Sequence, residues 1–186
     1  MGNCLFQKSG GFTNWLKFRR LKFMRQYLIV MNNQKLDFKS GEKNLVSVMK
    51  KFRKVKIFDL DLKYYCLEEN SVSFFFKQLA QYKSLEQIKL ILAVNLISYS
   101  GAMCIAQNVQ QLQNLIIFEI DFEANHIGFN EIKTLARSLS NSKHLQYVNL
   151  NYRYNRISYD DIERKITLKN EFMKKNLRLV VLKIIF

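Results

Sequence analysis

Apolar and polar positions return along this chain in a fixed order. From Leu85 the stretch reads LEQIKLILAVNLISYSG, from Leu115 LIIFEIDFEANHIGFNE, and from Leu145 LQYVNLNYRYNRISYDD. Aligned on those three leucines, thirty residues apart, the copies share Ile88, Phe118 and Val148, then Leu90, Ile120 and Leu150, then Leu92, Phe122 and Tyr152. Asn95, Asn125 and Asn155 follow in register, and after them Ile97, Ile127 and Ile157. One asparagine and five apolar positions kept three times at one period are the mark of a stacked repeat.

Within a copy the pattern changes period. Ile88, Leu90 and Leu92 alternate with Lys89, Ile91 and Ala93, which predicts a strand with one buried face. The asparagine marks a turn. Beyond it Ala102, Ile105, Ala106 and Val109 are spaced by three and four, as are Ile132, Leu135, Ala136 and Leu139. That spacing predicts a helix with one apolar face. Val72, Phe75, Phe76 and Leu79 give the same helix one unit earlier. One such unit cannot bury its own apolar face, whereas stacked units can, with strands in a parallel sheet and helices behind it.

The register extends both ways. VKIFDLDLKYYCLEEN from Val55 keeps Phe58, Leu60, Leu62 and Leu67, with Tyr65 where the asparagine belongs. Upstream, YLIVM reads as a strand, and Leu45, Val46, Met49 and Phe52 read as the helix and return of its unit. Downstream, LRLVVLKIIF repeats the strand pattern with Val180, Leu182 and Ile184, two residues late. DIERKITLKNEF matches the helix pattern poorly. The array is thus expected over residues 25–186, as about five units of roughly 30 residues and a final strand. Residues 1–24 form a separate basic, aromatic segment.

LILAVNLI with IAQNV, IDFEANHI with LARSL, and LNYRYNRI resemble the leucine-rich repeat family, of the ribonuclease-inhibitor-like type. The resemblance implies an α/β solenoid shaped as a short horseshoe, with the parallel strand ribbon on its concave side and helices on its convex side. It implies a structural asparagine, here Asn95, Asn125 and Asn155, whose amide satisfies backbone groups in the turn. Gly101 occupies the family's usual glycine, and Ser71, Glu131 and Asp161 depart from it. Similar long-unit arrays come from AT-rich protist genomes, and some are joined to protein kinase domains.

Residues between the buried strand positions should face the concave side, the recognition surface of solenoids. They are Asp59 and Asp61, Lys89 and Ile91, Glu119 and Asp121, and Asn149 and Asn151, with Lys63, Ala93, Glu123 and Arg153 one step further. Asp59, Asp61, Lys89, Glu119, Asp121, Asn149 and Asn151 are the candidate partner-binding residues.

Charge adds one qualification. The net +15 sits at the ends of the chain. Residues 1–54 hold thirteen Lys or Arg against two acids, and residues 164–186 hold seven against one. No nucleic-acid motif accompanies this, and a Lys-, Asn-, Ile- and Phe-rich composition accounts for it, so a nucleic-acid partner is not expected.

Candidate chemistry is sparse. Cys4, Cys66 and Cys104 have neither disulfide nor zinc spacing, which suits a reducing, cytoplasmic setting. Cys104 reads as a small core residue. His126 and His144 lack partners at metal-ligand spacing. Phosphate-binding glycine loops and the kinase motifs are missing. No catalytic residue, metal or cofactor is expected. Gly2 and Cys4, followed by Lys8, Lys17, Arg19, Arg20, Lys22 and Arg25, are candidates for acylation and a membrane-associated N-terminus, although Phe6 stands where a Ser or Thr is wanted. Phe12, Trp15, Leu16 and Phe18 could instead cap the first unit.

The expected function is a non-enzymatic protein-interaction scaffold. The alternatives are an acylated, membrane-anchored adaptor, or a piece of a larger leucine-rich-repeat protein with a kinase or other catalytic domain. The β-prone end, with Val180, Leu182 and Ile184 bare, is expected to be covered by further chain, a partner or end-to-end self-association.

Overall fold

A computed structural model describes residues 27–30, 56–158 and 161–186. The expected N-terminal cap, the acylation candidates Gly2 and Cys4, and the helix over residues 45–52 lie outside the described residues.

Among the described residues, six strands form one parallel sheet in chain order. They are β1 (Tyr27–Val30), β2 (Ile57–Asp61), β3 (Gln87–Ile91), β4 (Ile117–Asp121), β5 (Tyr147–Asn151) and β6 (Val181–Ile185). Four helices among the described residues alternate with the strands from β2 onward: α1 (Glu69–Leu79), α2 (Tyr99–Val109), α3 (Phe129–Leu139) and α4 (Ile162–Lys175). Phe58, Ile88, Phe118 and Val148 are register partners across β2 to β5, as are Leu60, Leu90, Ile120 and Leu150. Leu28 and Val30 continue those rows on β1. The thirty-residue repeat is therefore the sheet register itself.

The core lies between the strands and the helix layer. The alternating strand residues, the helix residues Val72, Phe75, Phe76, Ile105, Val109, Ile132 and Leu139, and the unit openers Leu85, Leu115 and Leu145 are all buried together. A strand alternates because its pleat sends successive side chains to opposite faces. The three-and-four spacing puts one helix stripe on the sheet. Each unit covers its neighbour, so the apolar surface is continuous along the stack.

Three expectations change. First, Ala93 does not face outward with Lys89 and Ile91. It is buried, because β3 ends at Ile91 and alternation ends with it. Second, the poorly matching segment does form a helix, α4, of 14 residues against 11 in each of α1 to α3. Third, the final strand is not two residues late. Val148 pairs with Leu182 and Leu150 with Ile184, a separation of 34 residues. The opener is Leu179, which is buried, while Val180 is 77% exposed. The longer helix accounts for three of the four extra residues.

The last strand is also not bare on its inner face. Ile184 is buried, Phe186 packs on the core, and Lys165 Nζ and Lys169 Nζ lie 5.2 and 5.6 Å from the Phe186 ring centroid. Leu168 and Phe172 of α4 are buried in the same core.

Candidate functional site: the open strand face

The asparagine turns position the open face. Asn125 Nδ2 donates to the carbonyls of Leu92 and Phe122, each at 2.9 Å, and its Oδ1 accepts from the Ile97 amide at 3.0 Å. Asn95 makes the same bonds to Leu62, Leu92 and Leu67, and Asn155 to Phe122, Tyr152 and Ile127. One amide thus ties each turn to the turn before it. These bonds give partners to backbone groups that are buried in the turns.

Sequence reasoning missed how the turn is made. Val94, Ala124 and Tyr154, each preceding an asparagine, have φ of 55°, 52° and 58°. Nothing in their residue types announces a left-handed conformation, which costs a side-chain-bearing residue energy. In the unit with Tyr65, both Tyr64 and Cys66 have positive φ, 65° and 52°. Glu131 was also missed. It departs from the glycine position and is buried because its Oε2 accepts from the Gly128 amide at 2.7 Å, at the start of α3. A Cβ at Gly128 would stand 2.6 Å from that oxygen, so the glycine makes room for this cap.

The predicted partner-binding residues are brought together as two rows across the sheet. Asp59, Lys89, Glu119 and Asn149 are register partners in one, and Asp61, Ile91, Asp121 and Asn151 in the other. Lys183 and Ile185 extend the rows onto β6, an addition that the corrected phase of the last unit supplies. Neighbouring members are about 4.8 Å apart. Lys89 and Lys183 are exposed and the other rows' members half-buried, on the sheet face opposite the helices.

Several of these side chains are already engaged. Asp61 Oδ1, Asp121 Oδ1 and Asn151 Oδ1 each accept from the backbone amide two residues on, at Lys63, Glu123 and Arg153. These bonds hold the strand ends as they enter the turns. Asn151 Nδ2 donates to Asp121 Oδ1 at 3.0 Å and to Glu123 Oε2 at 3.1 Å, and Asn149 Nδ2 to Glu119 Oε2 at 3.3 Å. Asn149 Oδ1 is buried without a hydrogen-bond partner among the described residues. The two amides of β5 therefore orient the three carboxylates Glu119, Asp121 and Glu123. Asp59 and Lys89 make no ion pair among the described residues.

At the β2 end, Tyr65 is half-buried, and its phenol pKa is raised by burial and then by the Asp61 carboxylate. Lys63 Nζ sits 4.9 Å from the Tyr64 ring centroid.

The described residues contain no group of three or more His, Cys, Asp and Glu able to hold a metal ion. His126 and His144 are both exposed. Cys104 is half-buried, and its Sγ accepts from Asn108 Nδ2 at 3.3 Å. No described helix is long and apolar enough to cross a membrane.

The chain matches no family model and no curated protein. Among solved structures it is similar to that of leiomodin-1 actin-binding site 2, with a TM-score of 0.60 and 15% identity, over 83% of this chain and 82% of that one. The fold is of the leucine-rich-repeat type. The likeness is one of architecture: parallel strands in chain order, each with a helix behind it.

Proposed function

We propose that this chain is a non-enzymatic protein-interaction module that binds its partner on the open strand face. One observation carries the reading. Asp59, Lys89, Glu119 and Asn149 form an in-register polar row on a sheet face that no described helix covers. A rigid ribbon with evenly spaced side chains is suited to an extended or convex protein surface. The similar structure is by its name an actin-binding site, which supports a protein partner as the class and makes actin the first partner to try. The eleven-residue outer helices support the ribonuclease-inhibitor-like subtype, with this face on the concave side of the array.

The test is a pull-down with wild-type protein beside the triple variant Asp59→Lys, Lys89→Glu, Glu119→Lys, with filamentous actin cosedimentation as a direct arm. These three side chains leave the asparagine turns untouched. The wild type should retain a specific set of proteins that the variant loses. Equal capture by both proteins would remove the open face from the binding surface.

A further inference from the structure

The turns that lead from each helix into the next strand form one edge of the array, at the opposite end of the strands from the asparagine turns. Backbone bonds tie this edge together: the amides of Glu86, Ile116, Gln146 and Val180 donate to the carbonyls of Lys56, Glu86, Ile116 and Gln146, at 2.7 to 2.9 Å. Every exposed residue among 80–86, 110–116 and 140–146 is a lysine, histidine, asparagine or glutamine. Lys83, Lys143, Lys174, Lys175 and Arg178 are exposed along the edge, the last three at the end of α4 and in the turn after it. None of these five makes an ion pair among the described residues. The acids here are Glu86, which pairs with Lys56 at 2.7 Å, and Glu171, one turn before the end of α4. Every other described acid lies on the open face, in the turns that follow the strands or at the start of a helix. Lys83 and Lys143 have a described unit on either side and are still exposed, so stacking of units does not cover this edge. The sequence places the excess cations at the chain ends; the fold adds an edge that is basic across its length.

We propose that this edge binds the phosphate backbone of a double-stranded nucleic acid without reading its sequence. The occupant follows from charge and from side-chain type. Phosphate oxygens are contacted by Lys, Arg, Asn and Gln, the types that stand exposed here. A protein interface is anchored by aromatic or apolar side chains, and a bilayer takes apolar side chains at its acyl boundary. The exposed apolar residues of this edge, Leu177 and Val180, are confined to its last turn. Four unit spacings of about 4.8 Å make the edge about 19 Å long, and a duplex presents about eleven phosphate charges over that length. The edge is separate from the open strand face, so nucleic-acid binding leaves that face available to a protein.

Fluorescence anisotropy of the full chain with a labelled DNA duplex of about 20 base pairs tests it. The wild type should bind two duplexes of unrelated sequence alike, and more weakly as salt rises. Lys83→Gln/Lys143→Gln/Lys175→Gln/Arg178→Gln removes four phosphate contacts. It should make the slope of log binding constant against log salt less negative by about 3 to 4. All four positions are exposed, so the variant keeps the wild-type circular dichroism. Lys17→Gln/Arg19→Gln/Arg20→Gln/Lys22→Gln, in the basic N-terminal segment, should bind as the wild type does. Three results would overturn the proposal. They are no binding by the folded wild type, a wild-type slope in the edge variant, and binding to phosphatidylserine vesicles or polyglutamate but not to the duplex. The second, with loss of binding in the N-terminal variant, would place the contact in residues 1–24. The third would make the partner a bilayer or an acidic protein.

Discussion

The ring of Tyr152 lies flat on that of Phe122, with centroids 5.2 Å apart and planes 9° from parallel. These residues occupy the position held by Leu62 and Leu92 in the two preceding units, and all four are buried. The aromatic pair thus fills the same core row that leucine fills elsewhere, and it places a phenol deep in the stack.

That phenol makes the fold sensitive to alkali. Burial raises the Tyr152 pKa well above its ordinary value of 10.0 and pushes Tyr82 up to about 12. A group whose pKa is raised on folding holds its proton more tightly in the native state. Its contribution to stability is complete below the unfolded pKa and is lost as pH rises past it. Urea-unfolding free energy should therefore fall from about pH 10 upward. Tyr152→Phe, which keeps the stack, should flatten that fall. An unchanged slope in the variant would show that Tyr152 is not the group responsible.

The asparagine turns should differ in cost along the array. Asn125→Ala orphans the carbonyls of Leu92 and Phe122 and the amide of Ile97, around a buried side chain. A loss of about 1–3 kcal/mol is expected from chemical denaturation. Asn155 is only half-buried, so water can replace part of its bonding, and Asn155→Ala should cost less. Equal costs would mean that burial does not set the value of these bonds.

The strand alternation makes a sharper contrast between adjacent residues. Ile120 is buried and Glu119 faces the open side. Ile120→Asp puts an unpaired charge in the core, a penalty on the order of 3–5 kcal/mol beyond the lost apolar contact. It should abolish cooperative unfolding in circular dichroism. Glu119→Gln keeps an acceptor for Asn149 and adds no buried charge, so it should leave the melting temperature within a degree or so.

How much of this was legible in the sequence depends on what each feature rests on. Ile88, Phe118 and Val148 and their successors announced the sheet register because side-chain burial repeats with the backbone. The rows Asp59–Lys89–Glu119–Asn149 and Asp61–Ile91–Asp121–Asn151 followed from alternation alone. Ala93 escaped because it is a turn residue, and a turn's geometry is set by φ values, not by period. The positive φ of Val94, Ala124 and Tyr154 had no signature, since none is glycine. The bonds from Asn149 and Asn151 to the acids of β4 depend on rotamers that a linear pattern does not contain.

The phase of the last unit was misread for a different reason, and it yields a direct test. Val180, Leu182 and Ile184 alternate, so apolar character alone gives no way to choose between a two-residue and a four-residue delay. The strand register decides it: Val148 pairs with Leu182, which puts the buried Leu179 at the opener position, and α4, three residues longer than its predecessors, supplies most of the four-residue delay. Val180 then points out and Ile184 points in. Val180→Lys should leave stability unchanged within about 0.5 kcal/mol, the usual range for surface changes. Ile184→Lys should cost several times as much, because the ammonium must leave water or pull the strand end away from α4. If Val180→Lys proves the more destabilising of the two by urea unfolding, the thirty-four-residue unit is wrong and the shorter delay is restored.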